Sequence, residues 1–211
     1  MPEEYYLPVA LLIPAATQLI YYLFIFTRFA FARAKKSTVE TLPPVSVIVC
    51  GRNEEENFKE NLPSVLAQNY PNFEVVAVND QSIDNTKDVL EYLQDHNPHL
   101  HLVNVEENER FWNGKKYGLT LGIKAAQHEH MILTDADCIP ASENWLREMV
   151  SGFTKKQKSI VLGFGAYKKR RGLLNMLIRF ETLHSAIQYL SWALWGMPYM
   201  GVGRNLGYTK E

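Results

Sequence analysis

The chain has 211 residues and a formal net charge of -1, which suits one domain of ordinary size plus an appendage and does not favour a nucleic-acid-binding surface. Its two cysteines, Cys50 and Cys138, fall inside or beside expected strands; they exclude a disulfide framework and read as reduced cytosolic residues. No second cysteine or histidine stands at zinc-ligand spacing from Cys138, which excludes a zinc site.

The appendage comes first. From Tyr5 to Thr27 no residue is charged, and Leu7, Val9, Leu11, Leu12, Ile13 and Leu19 begin an apolar run that Ile20, Leu23, Phe24, Ile25 and Phe26 complete. Its 23 residues at helical rise match the roughly 30 Å hydrocarbon layer of a membrane. Tyr5, Tyr6, Tyr21 and Tyr22 lie towards its ends, and Pro8 and Pro14 bend such a helix without excluding it. The positive charges follow the run rather than precede it, which argues against a cleaved signal peptide. Glu3 and Glu4 come before it and Arg28, Arg33, Lys35 and Lys36 after it, so the positive-inside tendency puts the domain behind the basic flank in the cytoplasm. The alternative is a helix buried in a soluble domain. Residues 1–36 therefore read as a transmembrane helix with a basic flank, and 37–44, ending in Pro43-Pro44, as a linker.

The β-branched run Val45 to Cys50, closing on Gly51, predicts a first buried parallel strand. A helix follows over 57–68, with Phe58, Leu62, Val65 and Leu66 on its apolar side and Pro63 interrupting it. Phe73 to Val78 predicts a second strand, ending at Asn79-Asp80-Gln81-Ser82. The alternation continues with a helix over 86–94, a strand over 100–105, a helix over 115–127, a strand over 130–133, a helix over 145–153 and a short strand over 160–164. Strands and helices alternating at this spacing predict an α/β fold with a mostly parallel sheet and right-handed crossovers. The tail differs. Lys168-Lys169-Arg170-Arg171 precedes a long apolar stretch broken by Arg179 and Glu181, too charged to span a membrane. Two readings of 168–200 stay open. One is an amphipathic helix along the cytoplasmic membrane surface, its basic cluster drawn to anionic lipid at ~1 kcal/mol per charge; the other is a helix packed on the sheet.

Asp135-Ala136-Asp137 follows the apolar run Met131-Ile132-Leu133, where a strand would end by presenting two carboxylates at the carboxyl edge of the sheet. Two acids one residue apart repel unless a cation or donor lies between them, so the pair suggests a divalent metal holding phosphate oxygens. A helix cap followed by a turn is the other reading. Asp80 ends a second strand, and in a parallel sheet such ends converge on one cleft. Arg52, Lys115 and Lys116 could meet a diphosphate there. The dinucleotide fingerprint and the Walker A sequence are both absent, so a nucleotide held by carboxylates and a metal fits better. Asp84 reads as a helix cap, and Glu54, Glu55 and Glu56 as an acidic helix-starting turn.

Taken in order, Val-Ile-Val-Cys-Gly-Arg-Asn-Glu-Glu-Glu-Asn (47–57), Val-Asn-Asp-Gln-Ser-Ile-Asp (78–84) and Leu-Thr-Asp-Ala-Asp-Cys (133–138) resemble family 2 glycosyltransferases, inverting enzymes of the GT-A fold. Gly-Val-Gly-Arg-Asn-Leu-Gly-Tyr (201–208) is similar to the acceptor-side segment of their membrane-bound bacterial members, and the resemblance covers 45–211. It implies a Rossmann-like GT-A domain over 45–211, behind one transmembrane helix, in the bacterial inner membrane with the catalytic domain on the cytoplasmic side. It implies a nucleotide-sugar site, for a UDP-linked donor, formed by Cys50, Gly51, Asn53, Glu54, Asp80, Lys115, Lys116, Asp135 and Asp137. Asp80 would read the base, although Asn79 replaces a commonly acidic neighbour. Asp137 would ligate Mg2+ or Mn2+ directly, with Asp135 nearer the ribose. Gly203, Arg204 and Asn205 would face a lipid or glycan acceptor.

The family's catalytic base is an Asp beyond the Gly-x-Gly-Arg-Asn segment. Only Glu211 follows Arg204 as an acid, too close to match, so the expectation is a fragment whose base lies beyond Glu211. Two further readings stand beside the transferase: an inactive nucleotide-sugar-binding or membrane assembly module, and a nucleotidyltransferase, for which Gly51-Arg52-Asn53-Glu54 is a poor loop.

Overall fold

The computed structural model of the chain describes residues 6–32, 42–105, 115–154 and 158–210, with the side chains of 6–9, 115 and 154 left out. Glu3, Glu4, Tyr5, Arg33, Lys35, Lys36, most of the 37–44 linker and Glu211 lie outside the described residues. The chain divides into two compact units, one made of residues 1–36 and 164–201, the other of 37–163 and 202–211.

In the first unit, α1 (Tyr6–Ile20) runs through Pro14 into a π-helical turn (Tyr21–Ile25) and then α2 (Phe26–Ala30). The helix continues on both sides of Pro14; the departure from α geometry comes later, where the Thr27 hydroxyl donates to the Leu23 carbonyl at 2.9 Å. Ala10–Ala30 is long and apolar enough to cross a membrane, and none of its most apolar window is buried. Against its end packs α7 (Leu173–Leu194): Tyr21 meets Trp192 edge-on at 6.1 Å, and the Arg28 guanidinium lies 4.5 Å above the Trp195 ring.

The second unit is a six-stranded sheet in the order β3-β2-β1-β4-β6-β5. Its strands are β1 (Val45–Gly51), β2 (Phe73–Asp80), β3 (Leu100–Val105), β4 (His130–Asp135), β5 (Ile160–Leu162) and β6 (Leu206–Thr209). The first four are parallel, and β6 is antiparallel to both β4 and β5. Every residue of β1 is buried, as a central strand covered on both faces must be. Val47, Val49, Val75 and Ala77 face α3 (Glu55–Leu66), α4 (Thr86–His96) and α6 (Trp145–Thr154), through Phe58, Leu62, Leu90 and Leu146. Ile48, Val76, Val78 and Leu133 face α5 (Lys115–Ala125), through Leu119 and Ile123.

The expected α/β alternation is observed, with shifts at element ends. The first sheet helix starts and stops two residues earlier than the periodicity suggests, because Glu55 and Glu56 form its first turn and Pro63 is absorbed near its end. Strands β2 and β4 each run two residues further, to Asp80 and Asp135. Strand β5 is shorter than expected, and β6 was not expected at all.

Candidate functional site

The register of the parallel strands aligns their carboxyl ends. Gly51 lies opposite Asn79, and Cys50 opposite Asp135; Asp80 follows Asn79 and pairs with Val105. Cys50, Gly51, Asp80 and Asp135 thus share the edge at which open α/β sheets hold ligands. Strand β6 begins opposite Leu133 and runs antiparallel to β4. The 3-10 turn Gly203–Asn205 just before it therefore lies towards the same edge, although it is about seventy residues away in sequence from Asp135.

Asp135 is half-buried, Asp137 exposed and Cys138 half-buried, and one ligand atom from each lies within 4.8 Å of the others. The Cys138 N–H donates to the Asp135 carbonyl at 3.1 Å, which closes the turn that brings the three together. Burial, then the negative charges of Asp137 and Asp135, push the Cys138 thiol up to about 11. It stays protonated at neutral pH and donates to Asp137 Oδ1 at 3.5 Å. Two carboxylates with accessible oxygens are the donor set a hard divalent cation takes, so the residues present fit such an ion. Cys138 has no second thiol or imidazole beside it in this group; its neighbours across one turn are the two carboxylates.

The loops after β1 and β2 are braced against each other. Asn53 adopts a left-handed φ of 55°, which asparagine tolerates. Its N–H donates to Ser82 Oγ at 2.9 Å, and its Oδ1 accepts from the Ile83 N–H at 2.8 Å. The Glu54 N–H donates to Thr86 Oγ1 at 3.0 Å, and its carboxylate accepts from the Asn57 amide. Asp84 caps as expected: it accepts from the Thr86 hydroxyl at 2.6 Å, from the Thr86 N–H at 3.1 Å and from the Glu55 N–H at 3.4 Å. Burial raises its pKa, but the Thr86 and backbone hydrogen bonds together outweigh that and hold the carboxyl below its usual range. Asn79 donates to Asn104 Oδ1 at 3.0 Å and accepts from the Ser82 N–H at 3.3 Å.

Gly51 is needed for packing: a Cβ there would stand 2.6 Å from Phe58 Cε2. Asp80 is 6% exposed, with its carboxylate against the first turns of α5, where a Cβ on Gly118 would meet it at 3.2 Å. Lys115 and Lys116 begin that helix; Lys116 is exposed, and the Lys115 side chain lies outside the described residues. Of the 203–205 turn, Gly203 is exposed and Arg204 half-buried. Asn205 Oδ1 accepts from the Trp145 indole at 3.1 Å, and its carbonyl accepts from the Gly163 N–H at 2.9 Å. Trp145 and Thr86 were not singled out from sequence; for Thr86 the Asp-x-Thr capping pattern was the available signal.

A family model described as glycosyl transferase family 2 matches residues 46–201. The chain is 27% identical over 162 residues to an uncharacterized glycosyltransferase of Haemophilus influenzae, covering 77% of this chain and 46% of that protein. It is 28% identical over 190 residues to the poly-beta-1,6-N-acetyl-D-glucosamine synthase of Staphylococcus epidermidis, covering 82% of this chain and 44% of that protein. The chain thus spans less than half the length of these relatives. Among solved structures, a mannosyltransferase from Pyrobaculum calidifontis, in complex with GDP-Man and Mn2+, superposes with a TM-score of 0.67 at 22% identity, covering 96% of this chain and 56% of that one. S. aureus TarS in complex with UDP gives 0.52 at 25% identity, covering 61% and 38%. The matched span takes in the aligned strand ends, the braced loops and the Asp135–Cys138 turn, and on this evidence the chain belongs to glycosyl transferase family 2.

Proposed function

We propose that the chain carries the donor-binding part of an enzyme that transfers a sugar from a UDP-linked donor to a lipid or polysaccharide acceptor with inversion. The observation that carries this reading is the alignment of Gly51, Asp80 and the Asp135–Asp137 pair at one sheet edge. Asp80 would orient the base, the braced 51–55 and 80–86 loops would hold the nucleoside, and Lys115 and Lys116 would stand near the diphosphate. Asp137 and Asp135 would hold Mg2+ or Mn2+, which supplies charge stabilisation for the departing nucleoside diphosphate. The acceptor oxygen forms its bond to the anomeric carbon as the bond to the diphosphate breaks, and the acceptor proton passes to a base; none of the residues described serves as that base. Gly203 and Arg204 would border the acceptor. Support for a UDP donor comes from the TarS structure with UDP, and support for a polysaccharide acceptor from the relatives that make poly-beta-1,6-N-acetyl-D-glucosamine. The exposed apolar helix Ala10–Ala30 and Arg28 at its end support attachment to the bacterial inner membrane with the sheet unit in the cytoplasm.

Calorimetric titration of the detergent-solubilised chain with UDP, and with GDP, in the presence and absence of Mn2+ tests the donor site. The expected result is Mn2+-dependent UDP binding that Asp137→Ala abolishes. A folded chain that binds neither nucleotide refutes the reading, and preference for GDP refutes the UDP assignment alone.

A further inference from the structure

The side of α5 turned to the sheet carries two glycines, Gly118 and Gly122, four residues apart and both buried. A Cβ on Gly122 would stand 2.7 Å from Val78 Cγ2 and 2.9 Å from Ile48 Cγ2. One on Gly118 would stand 3.2 Å from Asp80 Cγ and 3.3 Å from its Oδ1. Four residues of helix rise about 6 Å, and two residues of strand advance about 6.6 Å. Gly122 over Val78 and Gly118 over Asp80 therefore keep step with successive same-face residues of β2. At both points the helix backbone itself lies against the strand's side chains.

Asp80 closes β2 and is 6% exposed. Among the described residues nothing donates a hydrogen bond to its carboxylate and no cation pairs with it. A carboxylate so placed is unfavourable until something supplies a donor. Neither of its oxygens is fully enclosed, since among the described residues Glu74 Oε2 is the one enclosed side-chain oxygen without a partner. The group thus keeps access to the space beyond the strand end, and a ligand there has to bring the N–H that the protein does not.

We propose that Gly118 is a positioning residue for recognition of the donor base: its missing side chain sets how far the Asp80 carboxylate reaches into the nucleotide site. The inference rests on the reading of Asp80 as the residue that orients the base. A carboxylate accepts and does not donate. Uracil presents N3–H on its pairing edge, where cytosine presents a lone pair at the same atom, so a carboxylate at fixed depth selects the first and repels the second. Alanine at 118 would press on Asp80 Cγ. Withdrawing α5 would open the close contact at Gly122, so the carboxylate yields instead, into the space the base would take.

The test is calorimetric titration of the detergent-solubilised full chain with UDP and with CDP in Mn2+, for wild type, Gly118→Ala, Asp80→Ala and the double variant. Urea unfolding is read in parallel, and alanine should not weaken the fold, because it favours helix over glycine. Gly118→Ala should lower UDP affinity about tenfold, the size of weakening one hydrogen bond to a charged group, and leave CDP affinity unchanged. On the Asp80→Ala background it should change neither. Unchanged UDP affinity in Gly118→Ala overturns the proposal. Equal loss for UDP and CDP overturns it too, since that marks a general disturbance of α5. Asp80→Ala that binds UDP like wild type removes the contact to be positioned and overturns the proposal, while Mn2+-dependent UDP binding keeps the donor site. A folded wild-type chain that binds neither nucleotide refutes the donor reading itself.

Discussion

Thr86 joins the two loops that line the sheet edge. Its hydroxyl donates to Asp84 Oδ1 at 2.6 Å and accepts from the Glu54 N–H at 3.0 Å, and the residue is fully buried. Thr86→Val keeps the shape and removes only the hydroxyl. The Glu54 N–H then loses its acceptor, which costs about 1–3 kcal/mol for an orphaned donor away from water. Asp84 keeps the Thr86 N–H and reaches solvent, so its share adds only about 1 kcal/mol. The expected loss is therefore about 2–4 kcal/mol, read by urea unfolding of the full chain in detergent.

A double-mutant cycle with Asp84→Ala should show coupling, because the two side chains share one bond. The pH dependence has a fixed sign. The folded-state pKa of Asp84 lies below its usual value, so the stabilisation it brings is complete above about 3.9 and is lost as pH falls through the lower folded value. The gap between wild type and Thr86→Val should narrow on going from neutral pH into that acid range. A stability loss below about 0.5 kcal/mol at neutral pH, the size typical of an unimportant surface change, would refute the bracing role.

Gly122→Val should lower the melting temperature, because its Cβ would stand 2.7 Å from Val78 Cγ2 and 2.9 Å from Ile48 Cγ2. Both neighbours are β-branched residues of central strands with nowhere to turn, and overpacking of this kind costs about 1–3 kcal/mol. Glu74→Ala should cost about 2–4 kcal/mol in the same urea assay, since buried Glu74 accepts from the Ser46 hydroxyl and from the Gln127 N–H at 2.6 Å. Its other oxygen, without a hydrogen bond, lies 3.4 Å from His101 Nε2, so no gain from relieving it should exceed that loss.

The parallel part of the sheet was legible because its strands are local, mostly apolar runs: Val45–Cys50, broken only by Ser46, and Met131–Leu133 leave no other face to bury. The Asp135–Asp137 pair was legible for a related reason, since a strand end fixes the edge at which the carboxylates emerge. What periodicity could not show was pairing between distant segments. Leu206–Thr209 is four residues long, holds two glycine- or polar-type positions, and becomes a strand only because β4 and β5 flank it. The cross-loop bonds of Asn53, Ser82, Asp84 and Thr86 link positions about thirty residues apart, and nothing in either loop alone specifies them. The start of α3 was legible in the acidic turn rather than in the apolar pattern: Glu55 and Glu56 occupy its first turn.

The unexpected strand also explains how a long excursion can leave the sheet and return without loosening it. Strand β5 ends at Leu162, paired with Leu206 at the start of β6, so the chain departs and re-enters at adjacent points. The ends of an excursion this long would separate freely unless held, because closing a loop is entropically unfavourable. Three interactions hold them: the Gly163 N–H on the Asn205 carbonyl, the Trp145 indole on Asn205 Oδ1, and the missing Cβ of Gly163, whose place the Asn205 amide fills. Asn205 therefore works as a latch, fixing the exit of the excursion against α6 and, through the turn that precedes β6, the positions of Gly203 and Arg204 at the carboxyl edge. Its amide meets both demands at once, one oxygen for the indole and a flat body small enough to lie over glycine. An aspartate would keep the acceptor but bring a charge beside an indole that is 9% exposed, and a leucine would leave the indole N–H with no partner.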